Sequence, residues 1–177
     1  MEEKTLSSRK IYSGQILNLR VDEVSLPGGH RTRREIVEHG DCVAVVAVDA
    51  GGDVLLVKQC RKAVEKELLE IPAGCIDPGE DPVAAVRREM QEETGYLPQK
   101  MERLGGFYSA PGYCTEYLHL YLATELIANR LQAEDTESIE LVRAPLNQIP
   151  GLIASGAICD AKSIAGLLLY LGSKKSS

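Results

Sequence analysis

The stretch Pro72–Tyr96 reads PAGCIDPGEDPVAAVRREMQEETGY, and its pattern predicts one central helix. Asp81 suits the N-cap, because its side chain can accept hydrogen bonds from the first unpaired backbone N–H groups. Pro82 suits the first helical position, where no N–H donor is needed, and Gly95 suits the residue after the last turn. These signals predict a helix over residues 82–94.

Three glutamates crowd the C-terminal end of this predicted helix, at Glu89, Glu92 and Glu93. At about 100° per residue they lie beside the apolar stripe expected to pack on a sheet, which comprises Val83, Val86 and Met90. Glu89 and Glu93 form an unfavourable like-charge i,i+4 pair, and the helix dipole also disfavours negative charge there. A divalent cation would relieve both penalties, since clustered carboxylates bind hard metal ions. Spacing alone leaves open an ordinary solvated helix face with an Arg88–Glu92 ion pair.

The same stretch resembles the signature of the Nudix hydrolases, G-x5-E-x7-R-E-U-x-E-E-x-G-U, in which U is a bulky apolar residue. All nine specified positions are filled, by Gly74, Glu80, Arg88, Glu89, Met90, Glu92, Glu93, Gly95 and Tyr96. At roughly 6–7% usage for each specified residue, a chance match in this chain is on the order of one in ten million. The signature is therefore specific.

The resemblance implies a Nudix-type α/β/α sandwich with a mixed sheet. It also implies metal-dependent hydrolysis of a nucleoside diphosphate that is linked to another group. In such proteins the equivalents of Glu89, Glu92 and Glu93 hold Mg²⁺ or Mn²⁺, together with the carbonyl oxygen of Ala73. Carboxylates and divalent ions suit this reaction, because the ions neutralise phosphate oxygens and align a water molecule for attack.

Other motif positions have supporting roles by the same resemblance. Arg88 is expected to orient the glutamates, and it counts with Glu92 among the catalytic residues. Glu80 is expected to brace the loop by pairing with Arg88. Gly74 and Gly95 are expected to be structural positions of the motif.

The rest of the chain is rich in strand patterns. ILNLRVDEVSL, the turn PGGH and RTRREIVEH predict an antiparallel unit within residues 1–39. CVAVVAV and VLLVKQCR predict a buried hairpin, and DAKSIAGLLLYLG predicts a last helix that begins after Asp160 and ends at Gly172. We expect a main domain over residues 40–172 and a disordered tail over 173–177. Mostly strands with two main helices favours a mixed sheet over repeated βαβ units.

A second segment resembles the ADP-ribose pyrophosphatase branch of the family. KQCRKAVEKELLEIPAG is similar to that branch's Gln-Tyr-Arg…Glu-hydrophobic-Pro-Ala-Gly segment. By this likeness Arg61 contacts the diphosphate and Glu70 lies near the ligand. Cys60 departs from the usual tyrosine, so an aromatic contact at that position is in doubt.

Two further features are similar to the same branch. In FYSAPGYCTEYLHLYLA, Pro111 lies close to the branch's marker proline, so Pro111 and Gly112 are expected to bind substrate. An ordinary turn explains these two residues equally well. An N-terminal strand unit also precedes the core, and in that branch it exchanges between the subunits of a homodimer.

The general base is expected in the acidic segment AEDTESIE. By the resemblance, a glutamate from this loop reaches the metal site and helps to activate water. Glu137 is the first candidate by its offset from SIELV, and Asp135 is the second. Read without the resemblance, the segment is an ordinary acidic surface loop.

Composition limits the class of partner. A formal net charge of −6 disfavours nucleic-acid binding, although HRTRRE (residues 30–35) could bring one arginine to an anionic ligand. No apolar run is long enough for a membrane span, and MEEKTLSSRK does not predict a secretory signal. The five scattered cysteines include no CxxC pair, which predicts neither a zinc site nor a disulfide framework. We expect a cytoplasmic protein.

These observations together predict that the protein hydrolyses ADP-ribose to AMP and ribose 5-phosphate with Mg²⁺. One alternative is hydrolysis of another nucleoside diphosphate derivative, such as a nucleotide sugar, a dinucleoside polyphosphate, FAD or NADH. Another is a non-catalytic Nudix domain that acts as a metabolite sensor.

Overall fold

The computed structural model describes residues 2–132 and 138–175. These residues form two compact units. The first unit comprises the described residues of Met1–Asp41 and Tyr108–Tyr117, and the second comprises those of Cys42–Phe107 and Leu118–Ser177. Within the described residues, no helix is long and apolar enough to cross a membrane.

The first unit contains a three-stranded antiparallel sheet in the order β1-β2-β3. Its strands are β1 (Lys4–Ser13), β2 (Leu17–Ser25) and β3 (Arg31–His39). The predicted hairpin of β2 and β3 is confirmed, and its turn contains Gly28 and Gly29 at φ 99° and 84°, where glycine is favoured. Strand β1 was not predicted, because all ten of its residues are exposed and its sequence therefore shows no alternation.

The second unit is built on a seven-stranded mixed sheet. Its strands are β4 (Cys42–Val48), β5 (Asp53–Arg61), β6 (Lys66–Glu70), β7 (Ala73–Cys75), β8 (Tyr96–Tyr108), β9 (Tyr117–Ala128) and β10 (Glu140–Pro145). The central path runs β10-β5-β4-β9-β8, with β6 on β5 and β7 on β4. Strands β4 and β9 are parallel, whereas β4 is antiparallel to β5 and β7. The predicted mixed sheet is therefore confirmed.

Strand β4 is buried at every position because both faces of the sheet are covered. Its alternate residues point to opposite faces, as the period of two requires. One face packs against α2 (Ile149–Ala154) and α3 (Ala161–Lys175) through Ile149, Leu167 and Tyr170. The other face packs against α1 (Pro82–Glu89) through Ala85 and Val86, and against the following turn through Met90. The layers are those of an α/β/α sandwich.

Helix α1 begins as predicted and ends differently. The Asp81 side chain accepts hydrogen bonds from the backbone N–H groups of Val83 and Ala84, and Pro82 occupies the first turn. After Glu89 the chain continues as a π turn over Met90–Thr94, and Gly95 ends it at φ 79°. Single π turns of this kind occur frequently at functional sites.

Helix α3 also begins at its predicted cap. The Oδ1 atom of Asp160 accepts a hydrogen bond from the Ser163 N–H at 3.1 Å. The helix then runs to Lys175, so the prediction that Gly172 ends it was wrong. A glycine inside a helix costs about 1 kcal/mol relative to alanine, which a packed helix tolerates.

Candidate active site

The glutamates at the end of α1 differ in exposure. Glu89 is 8% exposed and Glu93 is 7% exposed, although neither side chain is apolar. Burial raises the pKa of Glu93 to about 7, and the nearby Glu89 carboxylate adds to the rise. Burial also raises the pKa of Glu89, which the Arg88 guanidinium only partly opposes. Two buried carboxylates therefore lie where negative charge is disfavoured.

Arg88 joins the helix to the loop before it. Its Nε and Nη2 atoms donate to the two carboxylate oxygens of Glu80, each at 2.9 Å. Its Nη1 atom donates to Glu89 at 2.6 Å and to Glu92 at 3.4 Å. Nη2 also donates to the backbone carbonyl of Cys75 at 2.9 Å. It stays a prediction that Arg88 orients the glutamates and that Glu80 braces the loop. The observed hydrogen bonds are those that these two roles require.

Strand β7 brings the backbone against both buried carboxylates. A Cβ atom added to Gly74 would lie 2.0 Å from the Cδ and Oε1 atoms of Glu89, a distance that no real contact permits. The backbone N–H of Ala73 donates to the Oε2 atom of Glu93 at 3.0 Å. Glycine at position 74 therefore leaves room for the Glu89 carboxylate, which would have to shift if a side chain were present there.

Arg61 and Glu70, the two residues expected near the substrate, contact each other. Arg61 donates from Nε and Nη2 to both oxygens of Glu70, at 2.9 and 2.6 Å. The Nζ atom of Lys162 donates to the same carboxylate at 2.5 Å and to Asp160 at 2.9 Å. Glu70 is 1% exposed, whereas the Arg61 side chain is 40% exposed. The buried Glu70 carboxylate thus holds the part-exposed Arg61 guanidinium in place.

Sequence reasoning missed Lys162. It lies 92 residues from Glu70 in the chain, so no local spacing connects the two. One signal was present, since a lysine in the first turn of α3 is disfavoured by the helix dipole. Glu89 at the end of α1, with Glu92 and Glu93 in the π turn that follows, showed the same kind of mismatch at a helix C-terminus.

The remaining predicted residues belong to the first unit or fall outside the described residues. Pro111 and Gly112 belong to the first unit, where they line a cavity of about 350 Å³ together with Arg20 and Arg34. Arg34 is paired with the carboxylate of Glu3, at 3.0 and 2.7 Å. Glu137 and Asp135 lie outside the described residues.

The residues of the second unit fit a divalent metal. Glu89, Glu92 and Glu93 offer carboxylate oxygens, and Ala73 could add its carbonyl oxygen from the neighbouring strand. Mg²⁺ and Mn²⁺ prefer oxygen ligands, and a cation would favour the ionised form of the two buried carboxylates. Such a centre could neutralise a diphosphate and activate a water molecule.

Comparisons with known proteins identify the family of this chain. The profile of the NUDIX domain family matches residues 38–167. A profile described as the nucleoside diphosphate sugar hydrolase N-terminal domain matches residues 3–37. The resemblance read from Gly74 to Tyr96 is therefore confirmed by a match that covers most of the chain.

Individual relatives extend over nearly the same length. The ADP-ribose pyrophosphatase of Bacillus subtilis (strain 168) is 38% identical, over 99% of this chain and 96% of that protein. The methanol dehydrogenase activator of Bacillus methanolicus is 39% identical, over 92% of this chain and 89% of that protein. A solved crystal structure of an ADP compounds hydrolase has a TM-score of 0.91 at 21% identity, over 99% of this chain and 96% of that chain, which shows a shared fold. The chain belongs to the NUDIX domain family.

Proposed function

We propose that this protein is a Nudix pyrophosphohydrolase that cleaves ADP-ribose to AMP and ribose 5-phosphate. The observation that carries the proposal is a pair of buried carboxylates, those of Glu89 at the end of α1 and Glu93 in the following π turn. Gly74 leaves room for the first of them. Similarity to the Bacillus subtilis ADP-ribose pyrophosphatase over nearly the full length supports the choice of substrate.

The metal would be Mg²⁺ or Mn²⁺, held by Glu89, Glu92, Glu93 and the carbonyl oxygen of Ala73. When bound, it would neutralise the diphosphate and lower the pKa of a water molecule. Arg88 restricts the rotamers of Glu89 and Glu92 through its hydrogen bonds, so these carboxylates are preorganised. Water attacks one phosphorus atom, and the bond from the bridging oxygen to that phosphorus breaks. Glu137 remains our candidate for the base that accepts the proton of this water, with Asp135 second.

Arg61 is proposed to bind the diphosphate. A guanidinium has five N–H donors, and the contacts with Glu70 use two nitrogen atoms of Arg61. Glu70 fixes the guanidinium plane, and the 40% exposure of Arg61 allows phosphate oxygens to reach it. Glu70 would thus act through Arg61, as part of the substrate site.

The first unit is proposed to contribute to substrate binding and to a homodimer. Pro111 and Gly112 line one cavity with the Arg34–Glu3 ion pair, and this mixture of apolar and polar groups could take part of a nucleotide. Exposed apolar side chains on or next to β1 and β2 support subunit contact, and they include Leu6, Ile11, Tyr12 and Ile16. We expect the homodimer to act in the cytoplasm on small molecules, without nucleic acid or membrane.

The test is a panel of nucleoside diphosphate derivatives assayed for released monophosphate with Mg²⁺. The panel contains ADP-ribose, nucleotide sugars, dinucleoside polyphosphates, FAD and NADH. We expect the highest kcat/KM with ADP-ribose, and loss of turnover in Glu93→Gln but not in Glu102→Gln, a change at an exposed strand position. Preference for another member would contradict the assignment of ADP-ribose as the substrate, but not the assignment of pyrophosphate hydrolysis as the reaction. Binding without turnover of any member would indicate a metabolite sensor.

A further inference from the structure

Two cysteines face each other across strands β4 and β7. Cys42 is the direct antiparallel partner of Cys75, and the two Sγ atoms are 3.3 Å apart. We propose that this pair is a modification site, at which a low-molecular-weight disulfide of the glutathione class reversibly oxidises both thiols to an intramolecular disulfide.

The register places the pair where a cross-strand disulfide fits. Val45 N–H donates to the Pro72 carbonyl at 2.9 Å, which makes that position hydrogen-bonded. Hydrogen-bonded and non-hydrogen-bonded positions alternate along an antiparallel ladder, so Cys42 and Cys75, three positions away, form a non-hydrogen-bonded pair. Opposed Cα atoms at such a position are about 4.5 Å apart, within the roughly 4.4–6.8 Å that disulfides span.

Little movement is needed to close the bond. A disulfide has a sulfur–sulfur distance of about 2.05 Å, so the Sγ atoms must approach by a little over 1 Å. Directly opposed residues project from the same face of a sheet, so the two side chains already point the same way. Rotation about the Cα–Cβ bonds and a small shift of the short strand β7 supply this movement.

The exposure of the two thiols sets the order of the reaction. Cys75 is exposed and Cys42 is buried, so the oxidant reaches Cys75 first. The Cys75 thiolate attacks one sulfur of the small disulfide and expels one small thiol. The Cys42 sulfur then attacks Cys75 and expels the second, so two protein thiols and one small disulfide become one protein disulfide and two small thiols.

The disulfide would link β7, whose backbone lies against Glu89 and Glu93, covalently to β4 in the centre of the sheet. Strand β7 carries Ala73 and Gly74, which lie against the carboxylates of Glu93 and Glu89. The Cys75 carbonyl also accepts a hydrogen bond from Arg88. Oxidation at this pair is chemistry separate from hydrolysis, and it can be detected whichever substrate the protein takes.

The experiment uses the full chain in glutathione buffers of increasing oxidised fraction. Remaining thiols are blocked with iodoacetamide, and the protein is digested and mapped by mass spectrometry. We expect one linked peptide pair containing residues 42 and 75, with a mass loss of ~2 Da that dithiothreitol reverses. Because the bond closes a loop of more than thirty residues, we also expect the unfolding temperature to rise by several degrees on oxidation.

Matched variants make the result specific. Cys75→Ser changes an exposed side chain and should abolish both the linked peptide and the rise in unfolding temperature. Cys42→Ser should do the same, and Cys159→Ser, also at an exposed position, should change neither. The proposal is overturned if Cys42 and Cys75 are alkylated as fully after oxidation as before. A stable mixed disulfide of glutathione at Cys75 alone would overturn it too.

Discussion

Two buried glutamates of the second unit, Glu70 and Glu93, have opposite electrostatics. Burial pushes the pKa of both carboxyls upward. At Glu70, hydrogen bonds from Arg61 and Lys162 more than offset this effect, so its pKa lies below the ordinary value. At Glu93, the Ala73 N–H and more distant cations do not, and its pKa rises to about 7. The negative charge of Glu70 is thus balanced by neighbouring cations, whereas that of Glu93 is not.

This difference separates the part of the site that the protein completes from the part that a ligand must complete. Glu70 forms ion pairs with Arg61 and Lys162, and its proposed role is to fix their positions. Glu93 and Glu89 share a shortage of positive charge, and a divalent cation is the ligand that removes it. Four predictions test this comparison, from the largest expected effect to the smallest.

The largest effect is expected from Gly74→Ala. The added Cβ atom would lie 2.0 Å from the Glu89 carboxylate, so this side chain must move by more than 1 Å. Displacements of that size at a reacting centre cost about 100-fold in rate, and loss of a metal ligand adds to them, so we expect kcat/KM to fall by about 1,000-fold. Steady-state kinetics will measure it. Gly172→Ala, whose Cβ meets open space in α3, should keep full activity.

The second prediction concerns the pH dependence of metal-free protein. The folded pKa of Glu93, about 7, lies above its unfolded value near 4.5, so the folded state binds more protons between these values. Stability from this group is present below pH 4.5 and is lost as the pH rises through 7, by about 3 kcal/mol at most. Chemical unfolding in EDTA, compared between wild type and Glu93→Gln, isolates the effect. Saturating Mg²⁺ should remove the loss, and equal pH slopes in the two proteins would contradict it.

The third prediction concerns the charge-matched glutamate. Glu70→Gln leaves Arg61 and Lys162 without their shared carboxylate, so we expect the free energy of unfolding to fall by about 2 kcal/mol at pH 7. The figure is below that of a fully buried pair because Arg61 is part-exposed. Denaturant titration will measure it, with Glu102→Gln as the exposed control. A loss under about 0.5 kcal/mol would show that the cations only balance the cost of burial.

The smallest effect is expected from Lys162→Met. Without Lys162, Glu70 pairs with Arg61 alone and holds that guanidinium more tightly, so we expect Arg61, the proposed ligand of the diphosphate, to bind it less well. We expect KM to rise about tenfold with kcat nearly unchanged, which corresponds to about 1.4 kcal/mol of binding. Lys162→Arg should restore most of the affinity, and Lys174→Met, a change near the C-terminal end of α3, should have no effect. A fall in kcat at constant KM would contradict this positioning role.

The sequence predicted the elements whose signals are local. The run at Cys42–Val48 is apolar at every position because both faces of β4 are covered, and Asp81 caps α1 as its residue type indicates. The acidic cluster could also be predicted, because three like charges at a helix end conflict with short-range electrostatics.

The remaining features depend on contacts that no local pattern encodes. Strand β1 pairs with β2 through its backbone while its side chains stay exposed, so its sequence shows no period. The pairing of Lys162 with Glu70 joins segments that are far apart in the chain. The residues of the π turn after Glu89 are of types that also suit an α-helix, so the sequence does not indicate it. Strand β1, the Lys162–Glu70 pair and the π turn therefore depend on the tertiary fold.

The π turn has a consequence for how this protein can change over generations. A π turn closes its hydrogen bonds over five residues rather than four, so it accommodates one residue more than the α turn it replaces. Exchange of one side chain leaves that count intact. Gain or loss of a single codon between Glu89 and Gly95 would rotate Glu92 and Glu93 away from Glu89 and move the helix end. The number of residues in this segment therefore constrains the placement of its carboxylates, whatever the residue types.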